Sequence, residues 1–220
     1  RVIMGGTNAA NNMRSDQGLD TLWGKGGNDT LEGGDDTDVV SGGAGNDIVT
    51  DAAGPLDKLK GDDGNDIVRG GVGADLILGG NGNDFMAAGV DGAEATGGQG
   101  TDFALGNATA DTLIGNDGDD WLEGEAAADT LVGGNGKPFH EAREPGDDVF
   151  DGGAGPDAID GEGGDDIIIN SADRDSNEGL FGFDWMTHVR DAQGASSDLA
   201  FNPVVPDPTN LQDTFLEVEG

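Results

Sequence analysis

The chain has 220 residues, 43 of them Gly and 45 of them Asp or Glu against 10 Lys plus Arg, with no Cys, and a formal charge of −35. Charge of this sign and size argues against nucleic acid and anionic membrane as partners and makes the bare chain repel itself, so a multivalent cation is the component the composition asks for. Scarce aromatics would suit a disordered chain, but the sequence repeats, and disorder needs no repeat. No apolar run approaches the length of a transmembrane helix, and no signal peptide opens the chain. Because it starts on Arg1, the chain is expected to be a piece of a longer product. The missing cysteines do not fix the compartment, since a metal-stapled secreted protein can do without disulfides.

Residues 1–14 precede the regular pattern and are expected to form a degenerate first coil or cap. From Ser15 a nine-residue unit takes over: six loop residues closed by an acid, then three strand formers. "GGAGNDIVT" (42–50), "GDDGNDIVR" (61–69) and "GGNGNDFMA" (79–87) are three copies. The closing acid falls at Asp20, Asp29, Asp38, Asp47, Asp57, Asp66, Asp75, Asp84, Asp102, Asp111, Asp120, Asp129, Asp148, Asp157 and Asp166. Ala93 breaks the rule, one extra residue falls near Asp51, and "KPFHEAREPG" (137–146) is an inserted loop. Sixteen units span 15–169.

The nonapeptide resembles the calcium-binding repeat of RTX proteins, which folds as a parallel β-helix or β-roll. The predicted fold is therefore all-β: a calcium-stapled parallel β-roll, a solenoid of two sheets, with an irregular C-terminal cap over 170–220. The residue types suit that chemistry. Calcium takes about six to eight hard oxygen ligands, and turning carbonyls toward an ion needs backbone angles that Gly, Asn and Asp adopt at least cost. The middle strand residue points inward by alternation, giving one apolar residue per unit from Leu22 to Ile168. So thin a core needs metal binding to supply much of the folding free energy.

Two units make one coil, so units stack on their next-but-one neighbours about 4.8 Å away and the loops sort onto two edges. Edge one closes at Asp29, Asp47, Asp66, Asp84, Asp102, Asp120, Asp148 and Asp166, with Gly at loop position four and mostly Asn or Asp at position five. Edge two drifts from that pattern and is expected to be patchy, worst around Pro55 and Ala93. The candidate calcium ligands are Asp29, Asp47, Asp66, Asp84, Asp102, Asp120 and Asp166 with Gly43, Gly45, Gly64, Gly80, Gly82, Gly98, Gly100 and Gly118 on edge one, and Asp20, Asp38, Asp75 and Asp157 on edge two. Several ions are expected, with edge one filled more completely and Asp66 mattering more than Asp57.

The whole chain also resembles a narrower group, the RTX regions of large bacterial haem-peroxidase proteins, some described as manganese oxidases. The motifs are "VIMGG" (2–6), "LDTLWGKGGNDTLEGG" (19–34), "GNDGDDWLEGE" (115–125), "NEGLFGFDWMTH" (177–188) and "DTFLEVEG" (213–220). This resemblance implies type I-like secretion, calcium-triggered folding outside the cell or at its surface, and a haem peroxidase domain elsewhere in the polypeptide. Nothing here matches that domain's haem ligands, so no haem and no catalytic residue are assigned to this segment.

The outward residue after each edge-one acid is nearly always apolar. Ile48, Ile67, Phe85, Phe103 and Trp121 are predicted to form a stripe that a neighbouring domain, another chain or the aromatic tail around Phe181–Trp185 covers. The tail leaves the nine-residue grid and reads as a cap or docking segment, with Leu180, Phe181, Phe183, Trp185 and Met186 concentrated in it. "FNPVVPDPTN" reads as extended loop, and a short helix is predicted after Pro208 from the spacing of Leu211, Phe215 and Val218. His140 and His188 lack a metal-ligand spacing. Two other readings stand beside the calcium scaffold: an adhesion or ice-binding module, which would want ranks of outward Thr, and an enzyme such as a peroxidase or manganese oxidase.

Overall fold

Three strand formers after every loop favour extended backbone, and a single inward apolar residue per unit leaves each short strand stable only when stacked on its neighbours. The computed structural model of the protein describes residues 1–134, 146–170, 175–178 and 184–188. It has no helix among these residues, and twenty strands form two ten-stranded parallel sheets. The first sheet runs Ile3–Gly5, Thr21–Gly26, Val39–Ala44, Lys58–Asp63, Leu76–Asn81, Glu94–Gln99, Thr112–Asp117, Thr130–Val132, Ala158–Asp160, Ser176–Glu178. The second runs Asn12–Arg14, Thr30–Glu32, Ile48–Thr50, Ile67–Arg69, Phe85–Ala87, Phe103–Asn107, Trp121–Glu125, Val149–Asp151, Ile167–Asn170, Trp185–His188. Successive strands alternate between the sheets, which is the predicted two-sheet roll.

The register is in phase along the whole roll. Leu22 pairs with Val40, Val40 with Leu59 and Leu59 with Ile77 in one sheet; Leu31, Val49, Val68 and Met86 pair in sequence in the other. These inward residues form the core and are fully buried, through to Phe150, Ile159 and Ile168. Strands of the first sheet are the longer ones, because pairing continues into the edge-one loop. Lys25, Gly43, Asp62, Gly80, Gly98 and Asn116 extend the ladder past the inward residue. Edge one is thus held by backbone hydrogen bonds from the start of its loop.

Strand pairing reaches both ends of the described residues. Ile3–Gly5 pairs with Thr21–Trp23, and Asn12–Arg14 with Thr30–Glu32, so the first fourteen residues make a coil of the roll. At the other end Ser176–Glu178 pairs with Ala158–Asp160, and Trp185–His188 with Ile167–Asn170. The expectation that the chain leaves the grid after 169 is corrected there. "GLFGFD" (179–184) has Gly at positions one and four and Asp at six, a repeat loop in composition with aromatics at positions three and five. The inserted loop 137–146, apart from Gly146, lies outside the described residues, as do His140, Leu180, Phe181, Phe183, the Pro-rich stretch and the segment read as a helix after Pro208.

Candidate metal centre

The loop-closing aspartates stack into two columns, and each carboxylate divides its two oxygens between different surroundings. Oδ1 accepts the backbone N–H of the closing residue one coil earlier: on edge one from Asp29 to Asp47 (2.7 Å), Asp47 to Asp66 (2.7 Å), Asp66 to Asp84 (2.8 Å), Asp84 to Asp102 (2.8 Å) and Asp102 to Asp120 (2.8 Å), then on to Asp148, Asp166 and Asp184. Oδ2 faces inward. In Asp29, Asp47, Asp66, Asp84, Asp102, Asp120 and Asp166 it is buried with no hydrogen-bond partner. A buried acceptor without a donor costs on the order of 1–3 kcal/mol, and more if charged, so a column of them suits a cation.

The space beside each Oδ2 exists because loop position one is Gly. A side chain on Gly42 would collide with Asp47 Oδ2 and the Gly61 carbonyl, and one on Gly61 with Asp66 Oδ2 and the Gly79 carbonyl. Gly79, Gly97 and Gly115 repeat the arrangement with Asp84, Asp102 and Asp120. Each coil therefore brings a carboxylate oxygen and a carbonyl oxygen from the next coil to one point. The position-one carbonyls were not among the ligands singled out from sequence, although Gly at that position recurs in every edge-one loop. The glycines that were singled out shape the turn. Gly43, Gly80 and Gly98 at position two, and Gly45, Gly64, Gly82, Gly100 and Gly118 at position four, have φ between 109° and 136°. A side chain on Gly64, Gly82, Gly100 or Gly118 would also strike the carbonyl of the glycine one coil below.

Burial dominates the electrostatics of these groups, followed in sign by neighbouring carboxylates. It pushes Asp66 up to about 7, Asp84 and Asp102 to about 6, and Asp120 and Asp166 to about 8, the Oδ1 hydrogen bond only partly opposing it. A second, outer column backs edge one: Asn46 N–H donates to Asn28 Oδ1, Asn65 to Asn46, Asn83 to Asn65 and Thr101 to Asn83, at 3.0–3.2 Å. This explains Asn at position five better than backbone angles alone, because its side chain tethers the next coil.

Edge two carries the same inner column with interruptions. Asp20 N–H donates to Asp38, Asp38 to Asp57 and Asp57 to Asp75, and Oδ2 of Asp20, Asp38, Asp57 and Asp75 is buried without a partner. The column stops at Ala93, where Ala88 also replaces the position-one Gly and both methyls are buried. In the next coil Asp111 is satisfied internally: Oδ2 accepts Asn107 N–H (2.8 Å) and Oδ1 accepts Ala93 N–H (2.7 Å). Beyond it Asp111 N–H donates to Asp129 and Asp129 N–H to Asp157. The carboxylate column is interrupted at Ala93, whereas the loop around Pro55 gathers Asp38, Asp51 and Asp57, with a carboxylate oxygen from each within 4.8 Å of the others.

The profile of the RTX calcium-binding nonapeptide repeat matches four stretches, residues 15–49, 57–91, 105–137 and 144–176, together more than half of the chain. The chain belongs to the RTX calcium-binding nonapeptide-repeat family. No curated protein matches it. RTX repeats bind calcium, and the residues present fit that ion: hard oxygen donors, carboxylates paired with carbonyls, and buried Oδ2 atoms without a partner at Asp29, Asp47, Asp66, Asp84, Asp102 and Asp120. The RTX segment is a structural calcium-binding β-roll.

Proposed function

We propose that this RTX roll is a calcium-triggered scaffold of a secreted bacterial protein, and that Asp29, Asp47, Asp66, Asp84, Asp102, Asp120 and Asp166 on edge one, with Asp20, Asp38, Asp75 and Asp157 on edge two, hold its ions. The observation that carries this reading is the run of buried Oδ2 atoms without donors. A chain of formal charge −35 with one inward side chain per strand gains little by folding around such atoms unless cations fill the gaps. Low calcium inside a cell would then keep the chain unfolded for export, and millimolar calcium outside would fold it. The resemblance to haem-peroxidase RTX regions supports such a domain as the cargo that this roll presents.

The outward row of the second sheet is the surface for that neighbour. Ile48, Ile67, Phe85, Phe103, Trp121, Val149, Ile167 and Trp185 follow one another in register. Trp185 stands in this row as a strand residue, so it extends the stripe; the expectation that the tail covers the stripe at Trp185 is corrected. Ile48, Trp121, Ile167 and Trp185 are each at least 40% exposed. An ice-binding reading has less support, because Val39, Lys58, Leu76 and Glu94 separate Thr21 from Thr112 in the first sheet.

The test is circular dichroism of the chain in chelator, then in rising calcium or magnesium. The reading expects β signal to appear cooperatively with calcium. Magnesium should fail to replace it, because it demands a tight octahedral shell and keeps its waters. A native-like spectrum in chelator would refute it.

A further inference from the structure

The loop at 51–57 departs from the repeat in two linked ways: it is one residue longer, and it opens with Asp instead of Gly. The backbone fixes the place of Asp51. Its N–H donates to the Arg69 carbonyl at 3.1 Å, just as Gly33 donates to Thr50 (3.0 Å) one coil before and Gly70 to Ala87 (3.0 Å) one coil after. Asp51 therefore occupies loop position one, and its carboxylate enters the space that glycine elsewhere leaves open. A side chain on Gly33 would meet Asp51 Oδ1 and Asp38 Oδ2, and one on Gly54 would meet Asp57 Oδ2.

The cluster is closed and lacks donors. Asp38, Asp51 and Asp57 are 0%, 8% and 1% exposed. Both oxygens of Asp51 and Oδ2 of Asp38 and Asp57 accept no hydrogen bond from an N–H or hydroxyl donor, and the touching Asp51 and Asp57 carboxyls could bond to each other only by sharing a proton. The ion pairs found among the described residues, Arg1 N-terminus to Asp20 and Arg14 to Glu32, do not reach it. No other three acidic or histidine side chains among the described residues come this close together. Burial, then the neighbouring Asp57, raises Asp51 to about 8.

We propose that Asp38, Asp51 and Asp57 form a three-carboxylate cation site, distinct from the regular loop positions, that fills with calcium before them and seeds the coils on either side. The proposal rests on the calcium reading of the roll. Its chemistry follows from ligand charge: affinity of oxygen sites for calcium rises with the number of carboxylates, and a regular position draws its unpartnered carboxylate oxygens from the closing residues alone. Two coils on, Ala88 and Ala93 plug the same edge with methyl groups. Edge two thus contains both the most charged loop position and the least, whereas edge one keeps to one pattern.

The experiment is calorimetric calcium titration of the full chain, parent against Asp51→Gly and Asp51→Asn. Glycine restores the repeat's own residue and keeps the backbone hydrogen bond; asparagine keeps the size and removes the charge. Both variants should lose the tightest binding step, bind one ion fewer at low free calcium, and need about tenfold more calcium to fold. In parent crystals at limiting terbium, the first anomalous peak should lie among the three carboxylates. Variant isotherms that superimpose on the parent's, tighter binding by Asp51→Gly, or a first terbium peak at a regular loop would each overturn the site. If Asp51→Gly fails to fold at saturating calcium, Asp51→Asn and the terbium peak decide. A parent chain that binds no calcium would sink the calcium reading and this site together; a calcium-binding parent with unaltered variants would sink only the site.

Discussion

The backbone N–H of Asp66 donates to Oδ1 of Asp84, one coil further on, at 2.8 Å, while Oδ2 of the same carboxylate is buried without a partner. One side chain thus stacks the coils with one oxygen and offers the other to an ion. Asp84→Asn separates the roles, since the amide oxygen still accepts from Asp66 while its NH2 points where a cation should sit. It should raise the calcium midpoint for folding and cost about 1–3 kcal/mol in saturating calcium. Asp84→Ala should cost more, as both contacts go. Equal effects of the two substitutions in a denaturant titration would show that Oδ2 carries nothing.

Glycine at position one is kept for space. Gly61→Ala would drive a methyl group into Asp66 Oδ2 and the Gly79 carbonyl, whereas at Gly26 the nearest atoms to an added methyl lie at 3.7 Å. Gly61→Ala should weaken calcium-induced folding and destabilise the loaded roll by about 1–3 kcal/mol. Gly26→Ala should be neutral or stabilise by up to about 1 kcal/mol through the unfolded chain. Calcium titrations followed by circular dichroism compare the two directly.

Acid should favour the calcium-free roll. Burial first, then like charges, raises Asp66 to about 7 and Asp120 and Asp166 to about 8 in the folded chain, against an ordinary value of 3.8. Raised folded values mean that the folded state binds more protons. Its stability is therefore greatest below about pH 4 and is lost as pH rises through 6 to 8. Lowering pH from 8 to 5 without calcium should increase β signal, and calcium affinity should fall over the same range as protons compete. Flat β content across that window would contradict the burial of these carboxylates.

The aromatic row contributes to stability by itself. Phe85 and Phe103 stack with ring centroids 5.4 Å apart and planes 6° apart, and Phe103 meets Trp121 at 5.8 Å and 37°. Phe103→Thr keeps strand propensity but removes both contacts, and should cost about 1–2 kcal/mol in denaturant unfolding at saturating calcium. Replacing Phe85, Phe103 and Trp121 together should also abolish any association at this face, which sedimentation can follow. No change in either measurement would show the row to be strand propensity alone.

Much of the roll was legible because the repeat is physical at every position. Val68 is inward because strands alternate, and Asp66 closes a loop because the turn ends there. What escaped were departures whose meaning depends on the coil below. Asp51 read as an extra residue between units; only its hydrogen bond to Arg69 places it at position one. Asn107 read as ordinary loop, yet its N–H donates to Asp111 Oδ2. Asp184 sits at the right interval from Asp166, but the aromatics around it suggested a cap.

The most direct test of the central claim is long-wavelength anomalous diffraction from the calcium-loaded chain. The account predicts calcium peaks in two lines along the roll, spaced about 4.8 Å apart, beside Oδ2 of Asp29 through Asp120 on one edge and interrupted at Ala93 and Asp111 on the other. Peaks confined to exposed loop carboxylates, or a folded roll whose buried Oδ2 atoms have no ion beside them, would contradict it.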